Sequence, residues 1–385
     1  MTLQTVTVAE ARRSRPLAGF LEQASQVDWN FDAPSKRTGL EALHPYPAKF
    51  IPDLPGTLMD VLPIQKGSAV FDPFVGSGTT LVEAQRRGIA SVGSDLNPIA
   101  CLISRVKTSP TPDDIEEVVD DVLEHALGLK SVTVPSIPNL DHWFSRAVQN
   151  CVARLMVAIS DAPATHQDFL KLSLSSILVR VSNQDSDTRY AAINKNVNAA
   201  GVYKAFAGAT DKVAIGLRAR ATSKVSAKVV EGDTLQLCKA DLVPNIGAVI
   251  TSPPYPNAYE YWLYHKYRMW WLGFDPIAVK SKEIGARAHF FKSNPHTAWD
   301  FVGQMEKSFL LIEEVLISGG FACFVIGRSK IHGEIVDNSK IIEGAGSKFG
   351  FRTVFKVERN ISSTRKSFNL SHANIKTETI LVLSK

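Results

Sequence analysis

Ser252 and Tyr255 stand on either side of two prolines in Thr251-Ser252-Pro253-Pro254-Tyr255. Pro253 and Pro254 fix φ and remove two backbone donors, so the carbonyls of the turn stay free to accept hydrogen bonds. With the Ser252 hydroxyl next to them and the flat Tyr255 ring, they form a pocket for a planar group carrying an exocyclic amine. A second chemical stretch lies upstream, Asp72-Pro73-Phe74-Val75-Gly76-Ser77-Gly78-Thr79-Thr80. A Gly-x-Gly of this kind lets the backbone approach a ligand closely. It lacks the third glycine of a dinucleotide site, and no Gly-Lys-Ser/Thr of a phosphate loop follows. Asp95, about twenty residues past the glycines, is placed to accept both hydroxyls of a ribose. Leu96 and Asn97 follow it, and Asp233 offers one more acid. The four cysteines (Cys101, Cys151, Cys238, Cys323) are scattered singly, without zinc spacing or a disulfide framework, so no metal site is expected.

Each of these acids ends an apolar run. Residues 68–71, 89–94, 227–230 and 247–250 read as buried strands, and each hands over to a polar turn. Residues 81–87 begin a helix after the glycine loop, closed by Gly88. Alternating strands and helices of this kind predict a doubly wound, Rossmann-like α/β sheet, with ligand sites at the carboxyl ends of its strands. Pro45, Tyr46, Pro47, Lys49 and Phe50 lie in a stiff, extended aromatic segment before the first strand, since its prolines bar a regular helix. Tyr259, Trp262, Lys266, Tyr267 and Trp270 fall at helical spacing and predict a helix with a heavy aromatic face. Further helices are expected over 115–127, 141–160, 168–183, 301–316 and 339–346. Strands are expected over 321–327, 352–358 and 377–383. The division expected is an extension over 1–39, an α/β domain from 40–103 and 226–385, and a mainly helical insertion over 104–225.

Composition is that of a globular protein: 45% hydrophobic and 21% charged, with a net charge of +5. The longest apolar runs are too short for a bilayer, and no charged-then-apolar leader opens the chain, which argues for the cytoplasm. Positive charge concentrates over 187–228, where Arg189, Lys195, Lys204, Lys212, Arg218, Arg220, Lys224 and Lys228 face two acids. Such clustering among Asn, Ser and Thr suits phosphate contacts, with the amides free to read base edges. Arg287, His289 and Lys292 interleave with Phe290 and Phe291 and suit a DNA-facing loop. Arg365 and Lys366 mark another basic loop.

DPFVGSGTT and TSPPY together resemble the DNA amino-methyltransferases, which methylate cytosine N4 or adenine N6. The TSPPY form is the one more often seen in the cytosine-N4 enzymes. The resemblance covers about 260 residues, estimated from the α/β blocks above, and implies S-adenosyl-L-methionine as cofactor. It places Asp72 at the methionine ammonium, Phe74 near the sulfonium, Asp95 at the ribose and Asp233 at the adenine amine. Pro45, Tyr46, Pro47, Lys49 and Phe50 would pack against the methionine end, and Pro73, Gly76, Gly78, Thr79, Leu96 and Asn97 would complete the cofactor shell. Ser252, Pro253, Pro254 and Tyr255 would be catalytic, acting on a base flipped out of double-stranded DNA. The 104–225 insertion would recognise the DNA, and a restriction endonuclease would be the cognate partner. The order of motifs departs from the commonest TSPPY arrangement, since here TSPPY follows the glycine loop. Carbon-5 methylation is disfavoured, because no cysteine lies beside a proline pair. Methylation of adenine N6 in place of cytosine N4 is the first alternative, followed by an RNA or protein methyltransferase and a non-catalytic DNA-binding module. No oligomeric state follows from the sequence.

Overall fold

The computed structural model describes residues 15–32, 39–47, 50–187, 189–220, 223, 225–256, 259–361 and 377–385. Lys49, Lys224, Arg365 and Lys366 lie outside these residues. The first block contains α1 (Arg15–Gln26), α2 (Asp53–Val61), β1 (Ala69–Asp72), α3 (Thr79–Arg86), β2 (Ser91–Asp95) and α4 (Pro98–Thr108). The helical insertion follows, with α5 (Ile115–Gly128), α6 (Leu140–Trp143), α7 (Arg146–Asp161), α8 (Ala164–Val181) and α9 (Ala199–Arg218). The chain then returns through β3 (Ala227–Glu231), β4 (Ile246–Thr251), α10 (Tyr261–Trp271), α11 (Pro276–Lys282), α12 (Arg287–Phe290) and α13 (Ala298–Val315). It closes with β5 (Leu316–Gly327), the hairpin β6 (Ser329–Ile331) and β7 (Glu334–Val336), α14 (Asn338–Lys348), β8 (Arg352–Asn360) and β9 (Thr377–Ser384).

Among the described residues, seven strands form one sheet in the order β3-β2-β1-β4-β5-β9-β8. The first five are parallel, and β9 runs antiparallel between β5 and β8. The chain winds outward from β1 through β2 to β3, then crosses back to β4 on the other side of β1. That reversal opens a crevice beyond the carboxyl ends of β1 and β4, where ligands of open α/β sheets bind. β1 ends in Asp72 and β4 in Thr251, so the topology itself brings the two sequence motifs together.

Alternation along the strands builds the two flanking cores. Val70, Ala248, Ile250, Cys323 and Val325 point to one face, while Phe71, Val249, Ala322, Phe324 and Ile326 point to the other. On the first face, α1 and α2 cover the sheet. Phe20 packs its ring 6.0 Å from that of Phe321, and Trp29 lies 5.9 Å from Phe355. The apolar cluster near Trp29 is therefore part of the main core, although it lies within the segment set apart as an extension. On the second face, α13 and α14 supply Phe309, Ile312 and Ile342.

Helices α5, α7, α8 and α9 share one continuous core with α4 and α10. The expected helix over 141–160 is broken near Phe144, where Ser145 turns out of helical geometry and its hydroxyl caps α7 by accepting from Val148 N. Helix α9 lies inside the stretch read only for its charge. Its Val202, Phe206, Ala209, Val213 and Leu217 are buried at three- and four-residue spacing, and Asn198 caps its start. Strand β5 begins at Leu316, earlier than expected, with Gly319 at φ 75° inside a break in its register against β4. Among the described residues no helix is long and apolar enough to cross a membrane.

Candidate functional site

Asp72 leaves β1 with both carboxylate oxygens engaged. One accepts from Phe74 N at 3.1 Å and the Thr251 hydroxyl at 2.6 Å, and the other accepts from the Thr80 hydroxyl at 2.6 Å. Thr251 therefore bonds the TSPPY turn directly to the glycine loop. Asp95 closes the other side, accepting from Gly76 N at 2.9 Å and Asn97 N at 2.8 Å. The loop between them is fixed from beneath by α4. There Ser104 donates to Gly76 O at 3.0 Å, and the buried Lys107 ammonium donates to Ser77 O at 2.8 Å.

The two glycines have separate tasks. Gly76 has a φ of 49°, and a Cβ there would stand 3.2 Å from the Tyr46 hydroxyl on the ligand side. Gly78, at φ 80°, starts α3, and a Cβ there would meet the Cα of Ser104 at 3.0 Å. Gly78 thus serves close packing of loop on helix, and it is not among the residues that line the cleft.

The cleft above the loop encloses about 850 Å³ of non-atom space, its solvent-open mouth included. Of the residues expected to hold a cofactor, Tyr46, Phe50, Asp72, Phe74, Gly76, Thr79, Asp95, Leu96, Asn97 and Asp233 line it. Pro45, Pro47 and Pro73 do not. Pro73 instead presents its carbonyl to the Thr234 hydroxyl at 2.5 Å and the Ser94 hydroxyl at 3.2 Å, pinning the loop to its neighbours. Ser252 and Pro254 line the same cleft, whereas Pro253 and Tyr255 are not among its lining residues.

Sequence reasoning missed the opposite wall, formed by Tyr261, Val279, Lys282, Glu283 and Ile284. Glu283 is fully enclosed and accepts from Tyr261 N at 2.9 Å and Trp262 N at 2.7 Å, which satisfies the open donors at the start of α10. Tyr261 in turn stacks on Tyr46, their ring centroids 5.7 Å apart. Its position at the head of the aromatic run was the available signal. Most other rings of that run, including Trp262, Tyr267 and Trp271, are packing.

Charge in the cleft is one-sided. Asp72, Asp95, Asp233 and Glu283 line it, and Lys282 is the single basic side chain among the described lining residues. Burial pushes the carboxyls of Asp72 and Asp95 up to about 6, although their hydrogen bonds favour the ionised form. Burial likewise raises Glu283 to about 8, against the pull of its two N–H donors. Such a site favours a cation with polar hydroxyl and amine groups.

The basic block over 187–228 has other employment. Arg218 forms a two-pronged pair with Glu116 at 2.5 and 2.7 Å. Arg220 reaches the carbonyls of Lys107 and Ser109 at the end of α4, and Lys195 reaches Val179 O at the end of α8. Cations placed there satisfy open helix-end carbonyls. Lys228 donates to Asp241 O at 2.7 Å. Charge counting could not separate these internal fastenings from free phosphate contacts.

A parallel sheet with a glycine loop after its first strand, an acid after its second and an antiparallel final pair is the fold of the S-adenosylmethionine-dependent methyltransferases. The cleft suits that cofactor: it bears acids for a cationic ligand, flat rings, and a glycine where a Cβ would intrude on the ligand side. The chain is similar to the N6/N4 DNA methylases in particular, for residues 22–105 match the family model described as DNA methylase. The type II methyltransferase M.MvaI of Kocuria varians is 30% identical over 128 residues, covering 28% of each chain. M.MjaII of Methanocaldococcus jannaschii is 40% identical over 87 residues, covering 21% of this chain and 16% of that one. M.BsoBI of Geobacillus stearothermophilus is 23% identical over 270 residues, 61% of this chain and 53% of that one. The matches thus span about half or less of these relatives' own lengths.

Proposed function

We propose that the protein transfers a methyl group from S-adenosylmethionine to the exocyclic N4 of cytosine in double-stranded DNA. The observation that carries this is the shared cleft. Ser252 of TSPPY opens onto the same space as Asp72, Gly76 and Asp95, and Thr251 joins the two motifs through a 2.6 Å bond. When bound, the cofactor supplies an electrophilic methyl group on a sulfonium. Asp95 would hold the ribose hydroxyls, Asp72 the ammonium and Asp233 the adenine amine, with Phe74 and Tyr46 enclosing the sulfonium end. On the substrate side, the Ser252 hydroxyl and Pro253 carbonyl would accept from the amine of a flipped base, with Tyr255 behind it as the aromatic support. Orientation and electrostatic placement then supply most of the rate.

The choice of cytosine follows the hydroxyl at Ser252. A hydroxyl is smaller than the carboxylate or amide of the adenine-specific relatives, and the likeness of TSPPY to the cytosine-N4 enzymes points the same way. Digestion of methylated DNA to nucleosides followed by mass spectrometry should yield N4-methylcytosine. A methyl group found on adenine N6 alone refutes the base assignment. The DNA-facing surface would run along the mouth of the cleft. Arg287, over the exposed ring of Phe291 at 5.1 Å, would belong to it, while Lys204 and Lys212 would remain to the insertion for target recognition and Arg189 is paired with Asp185 at 3.4 Å. A cytoplasmic setting and a cognate endonuclease complete the proposal.

One consequence is a pH-dependent affinity. In the ligand-free protein, the raised carboxyls contribute stability that is full below their ordinary range near pH 4. It is lost as pH rises through about 6 for Asp72 and Asp95 and about 8 for Glu283. A cationic ligand favours the ionised forms and so releases these protons. S-adenosylmethionine affinity should therefore climb as pH rises, with Asp72 and Asp95 contributing below about pH 6 and Glu283 alone between about 6 and 8, on the order of tenfold per pH unit for each proton released. Calorimetry across that range checks the sign, and an affinity that falls with rising pH contradicts it.

A further inference from the structure

We infer that Glu378 is a positioning residue that orients the Ser252 hydroxyl through Tyr255 and receives the proton the amine must lose, resting on the amine-methylation reading above. Three strands stand abreast at this point, with Gly327 of β5 paired to Glu378 of β9 and Glu378 paired to Arg359 of β8. The Tyr255 hydroxyl reaches this row. It lies 3.5 Å from a Glu378 carboxylate oxygen, with Ser252 and the backbone N–H of Gly327 beside it. Arg359, 4% exposed, donates to the second Glu378 oxygen at 2.8 Å. Its other nitrogens donate to Trp29 O at 2.8 Å and Asn30 O at 2.9 Å, so the N-terminal segment holds the guanidinium in place.

Counting donors sets the direction of the chain. A phenol has one proton to give and two lone pairs to fill. Glu378, held ionised by Arg359, can only accept, so it takes the Tyr255 proton. The Gly327 N–H is then placed to fill one lone pair of Tyr255, and the Ser252 hydroxyl to donate into the other. Ser252 is then left with lone pairs alone to turn toward the cleft, which is what an amine donor requires.

The same chain gives the proton a route. An exocyclic amine that gains a methyl group carries one proton too many. Its N–H bond breaks with the electron pair remaining on nitrogen, and the proton bonds to Ser252 Oγ. The original Ser252 proton moves to Tyr255 Oη, and the Tyr255 proton moves to Glu378 Oε1. The amine ends neutral, both hydroxyls are restored, and Glu378 carries the proton. Burial raises the Glu378 carboxyl above its ordinary range, which favours its acting as acceptor. Its side chain retains 20% exposure, enough to return the proton to water.

Glu378→Gln keeps the shape and an acceptor for Tyr255 but cannot take a proton. Tyr255→Phe keeps the ring and the Arg359–Glu378 pair and removes the middle of the chain. The expected result for each is a kcat lower by about 100-fold or more, the usual scale of a lost proton acceptor. KM for DNA and calorimetric affinity for S-adenosylmethionine should stay within about twofold, since neither side chain lines the cofactor cleft. The acidic limb of the kcat–pH profile should vanish in Glu378→Gln, and the double variant should be no slower than the worse single one. Thermal melts verify that both variants fold, and Tyr255→Phe decides alone if the uncovered Arg359 unfolds the first. Wild-type turnover in Tyr255→Phe, or losses that multiply in the double variant, overturn the relay and leave the parent reading intact. A wild-type protein that methylates no base overturns both.

Discussion

Ser252→Ala lowers turnover by about 100-fold or more and leaves S-adenosylmethionine affinity within about twofold. The asymmetry comes from how the TSPPY turn divides its contacts. Thr251 is the residue bonded to Asp72, so the link between the catalytic turn and the cofactor loop survives loss of the neighbouring hydroxyl. Ser252 itself opens on the cleft, where its hydroxyl meets the amine of the base in the proposed reaction. Removing an oriented acceptor that strengthens as charge develops on the amine costs roughly 10²–10³ in rate, the scale of a deleted oxyanion-hole donor. Single-turnover assays on DNA combined with calorimetry separate the two quantities. A variant that binds the cofactor poorly and turns over normally once saturated would place Ser252 in the cofactor site.

What was legible in the sequence is what a local stretch of chain can encode. Asp72, Gly76 and Gly78 sit within one turn, and that turn needs positive φ at both glycines, so residue type and spacing alone identify it. The same holds for TSPPY, where the prolines dictate the backbone. The opposite wall of the cleft is different in kind. Glu283 follows a short helix and carries no motif, and its place beside Tyr261 depends on the packing of α10 against α11. Glu378 lies 123 residues beyond Tyr255, and only the antiparallel insertion of β9 between β5 and β8 brings them together. Helix α9 was legible and overlooked. Its buried period of Val202, Phe206, Val213 and Leu217 was present beside the lysines, and charge was read before periodicity. Arg218 and Arg220 show the consequence, since their partners Glu116, Lys107 and Ser109 are about a hundred residues away in sequence.

Asp95→Ala weakens S-adenosylmethionine binding by roughly ten- to over a hundredfold. Charge-assisted hydrogen bonds from a ribose to one carboxylate are worth about 1.5–3 kcal/mol. The carboxylate also accepts from Gly76 N and Asn97 N, so alanine frees two backbone donors at the rim of the cleft. Part of the loss therefore arises from a glycine loop that is no longer pinned at Gly76, and Asp95→Asn separates the two effects. The amide keeps one oxygen as acceptor and removes the charge. A fall in affinity with Asp95→Asn nearly as large as with alanine assigns the effect to the ribose contact and the lost charge. A fall confined to Asp95→Ala, accompanied by a lower melting temperature of the ligand-free protein, assigns it to the loop. Unchanged affinity in a folded Asp95→Ala protein removes Asp95 from the cofactor site altogether. The alanine variant should also bind with a shallower pH dependence below about pH 6, because one of the acids that burial holds near 6 is gone.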